Sequence, residues 1–420
     1  MKLLPLLLAG ALVAPVHAQS PAAYEPAALL NASDLLPADV LRGPSYRVRA
    51  QVPTDGYMAY FTIDSDFGTF AAIGVPEAKR RITEVEAIRK LVETSKSDLF
   101  AEGLRRSIEQ PIDAVKNIVA HPVDSVKQAP KTVGHFFVKV GSALDRGASK
   151  VADRMSGDRS DPGQSAAAAG RGIGNAAKSA AGFDKAKLDT AKQLGVDPYS
   201  DNERLQEEME KVTWAFFAGG LPLRIGAAVA SAGVAVAATQ MVGIPEDTYA
   251  LTSGELAVRD ERALAAMGAE KQTISAFQIQ QTLSITRRHR IVTYLEAMPK
   301  ARGRVEVIQL ALACETPEQA EFLISALAIL AERQRTGAAE YVSLKVLGRL
   351  PGATTVTGEL HVPAPVDQVT WTEEVANFAQ RDDLGEAPKV LLHTGRMSGA
   401  ATAGISAAGW KSINVAYPSR

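Results

Sequence analysis

The sequence predicts an α+β protein that is predominantly α-helical. Apolar residues recur every three or four positions through the middle of the 420-residue chain, which is the pattern of amphipathic helices. Short stretches that alternate apolar and polar residues lie near the N-terminus, and strand and helix patterns alternate after residue 336. We therefore expect a small N-terminal antiparallel β meander with helices, a central helical region and a small C-terminal α/β domain.

Composition excludes several classes of protein. Hydrophobic residues make up 46% and charged residues 22% of the chain, as in globular rather than disordered proteins. The 46 basic and 47 acidic residues nearly cancel, so no overall field favours nucleic acid, and we expect no nucleic-acid partner. Cys314 is the only cysteine, which excludes an intrachain disulfide. Its apolar neighbours indicate a buried thiol.

Residues 1–18 have the three-part order of a secretory signal peptide. Lys2 is the charged residue, Leu3–Val13 is the apolar run, and Val16–Ala18 ends in small residues before Gln19. The apolar run is too short to span a bilayer. We expect export to a periplasm or to the extracellular space.

Residues 19–110 contain the predicted meander and two helices. Alternation predicts strands over 46–52, 57–63 and 69–75, separated by turn residues. Helical spacing then predicts a helix that opens at Pro76 and buries its apolar face, and a second helix over 98–109. The apolar face of the first helix consists of Ile82, Val85, Ile88 and Leu91.

Residues 111–155 form a basic segment with a repeated Pro-x-Asp-x-Val-Lys motif. The motif at 111–116 recurs after eleven residues at 122–127, which is three helical turns and returns equivalent side chains to one face. From 114 to 154 there are seven basic and three acidic residues. Two interpretations stay open: the apolar stripe packs on the protein's own core, or it docks on an anionic membrane surface or an envelope protein. The candidate binding residues are Lys116, Lys127, Lys131, Phe136, Phe137 and Lys139.

The region from 156 to 335 is predicted to be a linker followed by helices. Residues 156–182 are rich in Gly, Ala and Ser, which is typical of a flexible linker. The helical domain over 183–335 includes a loop at 195–202 that caps a helix. Its segment 225–244 has no charged residue, so it is either a buried core helix or a membrane-inserted one.

Two further helices of this region carry specific expectations. A helix over 273–297 carries the cluster Arg287–Arg290 near its end, which we interpret as a solvated face, with a phosphate or headgroup site as the alternative. Thr316 and Gln319 form a capping-box pattern around Pro317, which predicts a helix over 317–335.

Residues 336–420 form the predicted α/β domain. Strands are expected over 341–347, 354–362, 390–393 and 410–415, with helices over 372–379 and from 398 to 409. His393 ends a strand, Ser398 begins a helix, and Asp367 or Glu373 could orient the histidine. His393, Ser398 and Asp367 are therefore candidate catalytic residues of a hydrolase. The alternative is structural: Ser398 is a helix cap and His393 is a satisfied strand residue.

The sequence lacks the short motifs of the common metal and hydrolase sites. There is no HExxH, CxxC or Gly-x-Ser-x-Gly, and no pair of histidines lies four residues apart. We therefore predict neither a metal site nor a cofactor.

Several stretches together resemble a group of exported proteobacterial proteins of unknown function. They are Arg42–Pro44, the repeats of 111–127, 195–199, 214–220, 365–367 with 371–373, and 395–398 with 409–410. Together they are spread over nearly the whole chain after the signal peptide. This resemblance implies export and a shared architecture, and it carries no activity, ligand or catalytic residue.

Three functions from different classes follow as hypotheses. The first is a non-enzymatic protein of the cell envelope that docks through the basic segment 111–155. The alternatives are a hydrolase-like enzyme with a site at His393 and Ser398, and a membrane-inserted protein that uses 225–244.

Overall fold

The computed structural model describes residues 24–109, 173–223, 225 and 243–418. Helices and several sheets together give a mixed α+β fold, which confirms the predicted class. The signal peptide, the basic segment and most of 225–244 lie outside the described residues.

The N-terminal strands form two small sheets. They are β1 (Leu29–Asn31), β2 (Arg42–Gly43), β3 (Tyr46–Val48), β4 (Gln51–Pro53), β5 (Tyr60–Ser65) and β6 (Gly68–Ile73), with helix α1 (Ala32–Leu35) after β1. Strands β2, β3, β5 and β6 pair antiparallel in that order, which confirms the meander. The single strand predicted over 46–52 is wrong, because β4 leaves β3 and pairs with β1 instead.

Two helices follow the meander. α2 (Val75–Ser95) buries Ile82, Val85, Ile88 and Leu91 at 1% exposure or less, so its predicted apolar face is confirmed. α3 (Asp98–Glu109) has the predicted bounds. It crosses the later helix α5 (Glu203–Ala218) closely.

The central helices are α4 (Ile173–Leu194), α5, α6 (Asp247–Ala250), α7 (Ser253–Ala266), α8 (Lys271–Ile279), α9 (Ile285–Glu296), α10 (Arg304–Leu312) and α11 (Pro317–Arg335). Helix α4 begins inside the predicted linker, so the interpretation of 173–182 as linker is wrong. Alanine is a strong helix former, and the linker prediction, which used composition alone, did not include helix propensity. The capped helix α11 is confirmed: the side chain of Thr316 accepts a hydrogen bond from the Gln319 amide.

The single helix predicted over 273–297 is wrong, since α8 ends at Ile279 and α9 begins at Ile285. Ser284 caps α9 by accepting from the amide of Arg287 at 3.2 Å. The connecting residues Gln280 and Thr282 bind the carbonyl of Cys314, and Gln280 also binds that of Leu312. These contacts replace the helical bonds that a continuous helix would make.

The C-terminal region contains a five-stranded mixed sheet in the order β13-β11-β9-β8-β7. Its strands are β7 (Tyr341–Leu347), β8 (Leu350–Thr355), β9 (Leu360–Ala364), β11 (Lys389–His393) and β13 (Trp410–Asn414). Strands β9, β11 and β13 are parallel, and β7, β8 and β9 are antiparallel. The remaining elements are β10 (Gln368–Val369), β12 (Arg396–Met397), α12 (Glu373–Ala379) and α13 (Gly399–Ala407).

One predicted strand of this region is wrong. Residues 354–362 were expected to be continuous, but β8 and β9 are joined by a tight turn in which Gly358 has φ of +86°. The turn is closed by the amide of Thr355, which donates to the carbonyl of Glu359 at 2.9 Å. The strands at 341–347 and near 390–393 and 410–415, and the helix near 372–379, are confirmed.

A continuous apolar core joins the central helices to the C-terminal sheet. Helices α9, α10 and α11 bury Leu295, Ile308 and Leu327 against Tyr341 and Leu392 of the sheet. This packing fixes α9 and α11 side by side, and α2 lies close enough to α11 for Arg80 and Glu321 to pair.

Candidate functional site

The structure does not bring the three catalytic candidates of the C-terminal region into a triad. His393 Nδ1 lies 2.8 Å from the carbonyl oxygen of Gly395. The Ser398 hydroxyl donates to the carboxylate of Glu25 and accepts from the amide of Ala401, as the cap of α13. Ser398 therefore caps a helix, as the structural alternative predicted.

Asp367 forms hydrogen bonds with residues other than His393. One carboxylate oxygen accepts from the Ala59 amide at 2.9 Å, and the other accepts from the Val75 amide and the Tyr417 hydroxyl, each at 3.0 Å. Burial raises the pKa of Asp367 to about 6 despite these three donors. Asp367 joins Ala59, which directly precedes β5, and Val75, the first residue of α2, to the C-terminal region. The expectation that it orients His393 is therefore wrong.

The cluster Arg287–Arg290 was expected to be a solvated face, and that interpretation is wrong for Arg287, His289 and Arg290, whereas Arg288 is partly exposed. The exposed fraction is 8% for Arg287 and Arg290 and 0% for His289. The break before α9 places these residues in its first turns, and α9 packs against α7 and α11. Buried charges require partners, and acidic residues around the cluster supply them.

Glu321 on α11 is the common partner of three arginines. Its Oε1 lies 3.0 Å from Nη1 of Arg80 and 3.0 Å from Nε of Arg287, and its Oε2 lies 2.9 Å from Nη1 of Arg290. Burial alone would raise the pKa of Glu321, but the three guanidinium groups hold it well below its usual value. The side chain therefore stays charged at the point where α2, α9 and α11 meet.

The loop between α4 and α5 supplies a second acid. Asp201 binds Arg81 of α2 through Oδ1 and Arg287 of α9 through Oδ2, both at 2.7 Å. Burial opposes ionisation of Asp201, yet these arginines hold its pKa below its usual value. The loop was predicted to cap a helix, and Asn202 does so by accepting from the Leu205 amide.

Further contacts anchor this loop. Glu84, fully buried on α2, accepts from Arg81, from the Ser200 hydroxyl at 2.6 Å and from the Asn202 amide group at 2.9 Å. Asp197 accepts from the Thr286 hydroxyl of α9 at 2.6 Å, and burial raises its pKa. The loop is thereby tied to α2 on one side and to α9 on the other.

A cavity of about 160 Å³ lies within this charged cluster. Four of its lining residues are cationic, namely Lys79, Arg80, Arg287 and Arg290, and three are acidic, namely Asp197, Asp201 and Glu321. The lining therefore holds one more cationic than acidic side chain. The lining also contains eight hydroxyl-bearing residues, namely Thr83, Tyr199, Ser200, Ser284, Thr286, Tyr294, Ser325 and Tyr417.

Arg290 has an unused donor at this cavity. Its Nε–H is buried and has no hydrogen-bond partner among the described residues. Nearby, the Tyr294 hydroxyl donates to the carbonyl of Gly243, where φ is +81°. A Cβ at that glycine would lie 3.2 Å from Nη2 of Arg290. A buried guanidinium donor without a partner is costly unless an acceptor binds it.

The sequence analysis did not identify the ion-pair residues Arg80, Arg81, Glu84, Asp201 and Glu321. It also did not identify Tyr417. One local signal was present: Glu84 lies among the apolar positions of α2, and Glu321 directly precedes Phe322 and two aliphatic residues on α11. A charge within a buried helical face indicates a buried partner. The identity of that partner is not encoded locally.

The predicted docking residues Lys116, Lys127, Lys131, Phe136, Phe137 and Lys139 lie outside the described residues. The helix that leads into them is described, however. On α3 the exposed fraction is 63% for Leu99 and 44% for Leu104, whereas Gly103 packs against the end of α5. The element before the basic segment therefore presents leucines to solvent.

Among residues 24–109, 173–223, 225 and 243–418, no helix has the length and hydropathy needed to cross a bilayer. Across the same ranges, no group of three or more His, Cys, Asp and Glu side chains is arranged to hold a metal ion.

The chain was also compared with known proteins. No protein-family model, curated protein or solved structure matches it.

Proposed function

We propose that the protein is an exported, non-enzymatic binding protein that holds a small anion in the cavity between α2, α9 and α11. The observation that carries this proposal is the buried Nε–H of Arg290, which has no partner among the described residues although Arg290 lines the cavity. The anion would carry a carboxylate or a phosphate group, the two groups that guanidinium binds best.

The balance of charge supports an anion rather than a cation. Three arginines share the single carboxylate of Glu321, and only Arg287 among them also binds Asp201. An incoming carboxylate or phosphate would accept hydrogen bonds from guanidinium groups that are already held in place. Such pre-organised, charge-assisted bonds are stronger than bonds between neutral groups.

The size of the cavity limits the ligand. A volume of about 160 Å³ accommodates on the order of ten water molecules, or a ligand with roughly that number of non-hydrogen atoms. We therefore infer a compact ligand, such as a phosphate ester or a small organic acid, and not a polymer.

Calorimetric titration of the mature protein with inorganic phosphate, citrate and acetate tests this function. The matched variants are Arg290→Gln, which removes the unused donor, and Ser325→Leu, which fills the cavity and keeps every arginine. We expect at least tenfold weaker binding in both. Arg262→Gln changes an exposed arginine on α7 and serves as the control.

Binding that is equal in the native protein and in both cavity variants would disprove the cavity as the site. Absence of binding for all three anions would disprove the proposed ligand class. Thermal denaturation of each variant without ligand establishes that the folded state is retained.

A second candidate function is docking on an anionic membrane surface through residues 111–155. The exposed Leu99 and Leu104 of α3 favour it, because this helix leads directly into the basic segment. Each lysine or arginine near such a surface contributes about 1 kcal/mol. This function is compatible with anion binding, since the two use different parts of the chain.

Flotation with anionic and with neutral liposomes tests docking, beside a protein that lacks 111–154. Salt-sensitive flotation with anionic lipid alone, lost in the deletion, is the expected result. If the folded protein fails to float under every condition, the docking proposal is wrong.

The export route and the domain layout belong to the same proposal. We infer cleavage after Ala18, an N-terminal unit up to residue 110, a helical unit ending near 335 and a C-terminal α/β unit over 336–420. N-terminal sequencing of the exported protein would give Gln19 as the first residue.

A further inference from the structure

The C-terminal tail runs along the wall of the cavity. After β13 ends at Asn414, the Val415 amide donates to the carbonyl of His393 at 2.8 Å. Tyr417 and Pro418 then line the cavity, and Tyr417 also lines a neighbouring cavity of about 30 Å³. The two cavities share Pro76, Arg80, Glu321 and Ser325 in addition to Tyr417. Tyr417 therefore stands at the boundary between them.

Side chains rather than backbone bonds hold this tail. Within the described part of the chain, no backbone hydrogen bond involves 416–418. The Tyr417 hydroxyl donates to Asp367 at 3.0 Å and also lies beside the hydroxyl of Thr394. A segment held without backbone hydrogen bonds opens at lower free energy than the core around it.

Asp367 links the tail to α2, which forms part of the cavity wall. The same carboxylate of Asp367 that binds Tyr417 accepts from the amide of Val75, the first residue of α2. Five residues later α2 carries Arg80, which pairs with Glu321 in the cavity wall. The buried carboxylate of Asp367 thus holds both the tail and the start of α2 in place.

We propose that residues 415–418 form a strap that closes the cavity and detaches to admit the ligand. This inference rests on the proposed anion-binding function, because the strap controls access only if a ligand enters the cavity. Detachment breaks the bond between Tyr417 and Asp367 and removes one of the five residues that line both cavities. The cavity then widens on the side of the tail.

Labelling of an introduced thiol can measure this motion, because the single native cysteine is buried. Its only cysteine, Cys314, is 6% exposed, and burial raises its thiol pKa to about 12, so it reacts slowly in the folded protein. Ser325→Cys places a new thiol on the wall that both cavities share. The rate at which N-ethylmaleimide labels this thiol measures how often the cavity opens.

Labelling is compared in three backgrounds: the full tail, Tyr417→Phe, and a chain that ends at Val415. We expect the rate to rise several-fold in Tyr417→Phe and at least tenfold in the truncated chain. Ser406→Cys, on the exposed face of α13, is the control whose rate should not change. Equal Ser325→Cys rates in all three backgrounds would overturn the strap.

The two proposals fail separately. A tail-dependent labelling rate without any phosphate or citrate binding would retain the strap and reject the anion function. Anion binding with a tail-independent labelling rate would retain the anion function and reject the strap. Because Tyr417→Phe keeps the ring and removes only the hydroxyl, it remains informative where the truncated chain is less stable.

Discussion

Arg80 and Glu321 lie 241 residues apart in the sequence, and their side chains pair at 3.0 Å. This contact joins α2, which follows the N-terminal meander, to α11, which lies under the C-terminal sheet. Arg287 and Arg290 bind the same carboxylate from α9. One acid thus holds three helices at the wall of the cavity.

Replacing Glu321 should destabilise the protein strongly. Glu321→Gln leaves three buried guanidinium groups without their shared counter-charge, and breaking a buried ion pair in this way costs about 3–5 kcal/mol. Urea denaturation measures the loss. The control is Glu332→Gln on the same helix, whose pair with Arg335 is solvent-exposed and contributes at most about 1 kcal/mol. Similar losses for the two variants would contradict the assigned role of Glu321.

Asp367 should make stability depend on pH in a specific window. Its pKa is 3.8 in an unstructured chain and about 6 in the folded protein, because burial disfavours the charged form. Between these values the folded state binds more protons than the unfolded state. Stability from this group therefore falls as pH rises from about 4 to about 6, by about 3 kcal/mol in total.

The free energy of unfolding measured at several pH values tests the effect of Asp367. Burial raises the pKa of Glu77 and Asp197 as well, so their contributions change in the same direction. The informative quantity is the difference between the native protein and Asp367→Asn. That difference should vary across pH 4–6 and be constant above it, and a flat difference would contradict the raised pKa.

The crossing of α3 and α5 should tolerate no side chain at its centre. A Cβ on Gly103 would lie 2.7 Å from the carbonyl oxygen of Ala215, so Gly103→Ala must push the helices apart. Overpacking of this kind costs about 1–3 kcal/mol. In Gly254→Ala the new methyl group meets nothing within 4 Å, and the loss of glycine stabilises that helix by up to about 1 kcal/mol. Opposite shifts in thermal denaturation are expected.

Ser398→Ala should affect stability through the helix cap. The hydroxyl accepts from the Ala401 amide and donates to Glu25, so its loss should cost about 1 kcal/mol. His393→Ala should leave the cap of α13 unchanged. Hydrolysis of any ester or amide substrate that depends on both residues would overturn this structural assignment.

Local patterns in the sequence determined much of the secondary structure. The spacing of Ile82, Val85, Ile88 and Leu91 specifies the buried face of α2, and Thr316 with Pro317 specifies where α11 begins. Helix periodicity and capping depend on residues within four positions of each other. They can therefore be read without knowledge of the fold.

The sequence was less informative where contacts distant in the chain compete with local preference. The break between α8 and α9 depends on Gln280 and Thr282 binding the carbonyl of Cys314, more than thirty residues away. The split of 46–52 depends on β1, which pairs with β4. In each case a tertiary partner supplies hydrogen bonds that the local pattern cannot reveal.

The candidate site belongs almost wholly to the tertiary structure. By itself the sequence determined a mixed α+β chain with a buried lone thiol and well-defined helix starts. Only the packing of α2, α9 and α11 decided that Arg287 and Arg290 are buried and that Glu321 neutralises them. The physical reason is that an ion pair requires proximity of two charges, and the sequence specifies the charges while the fold specifies the distance.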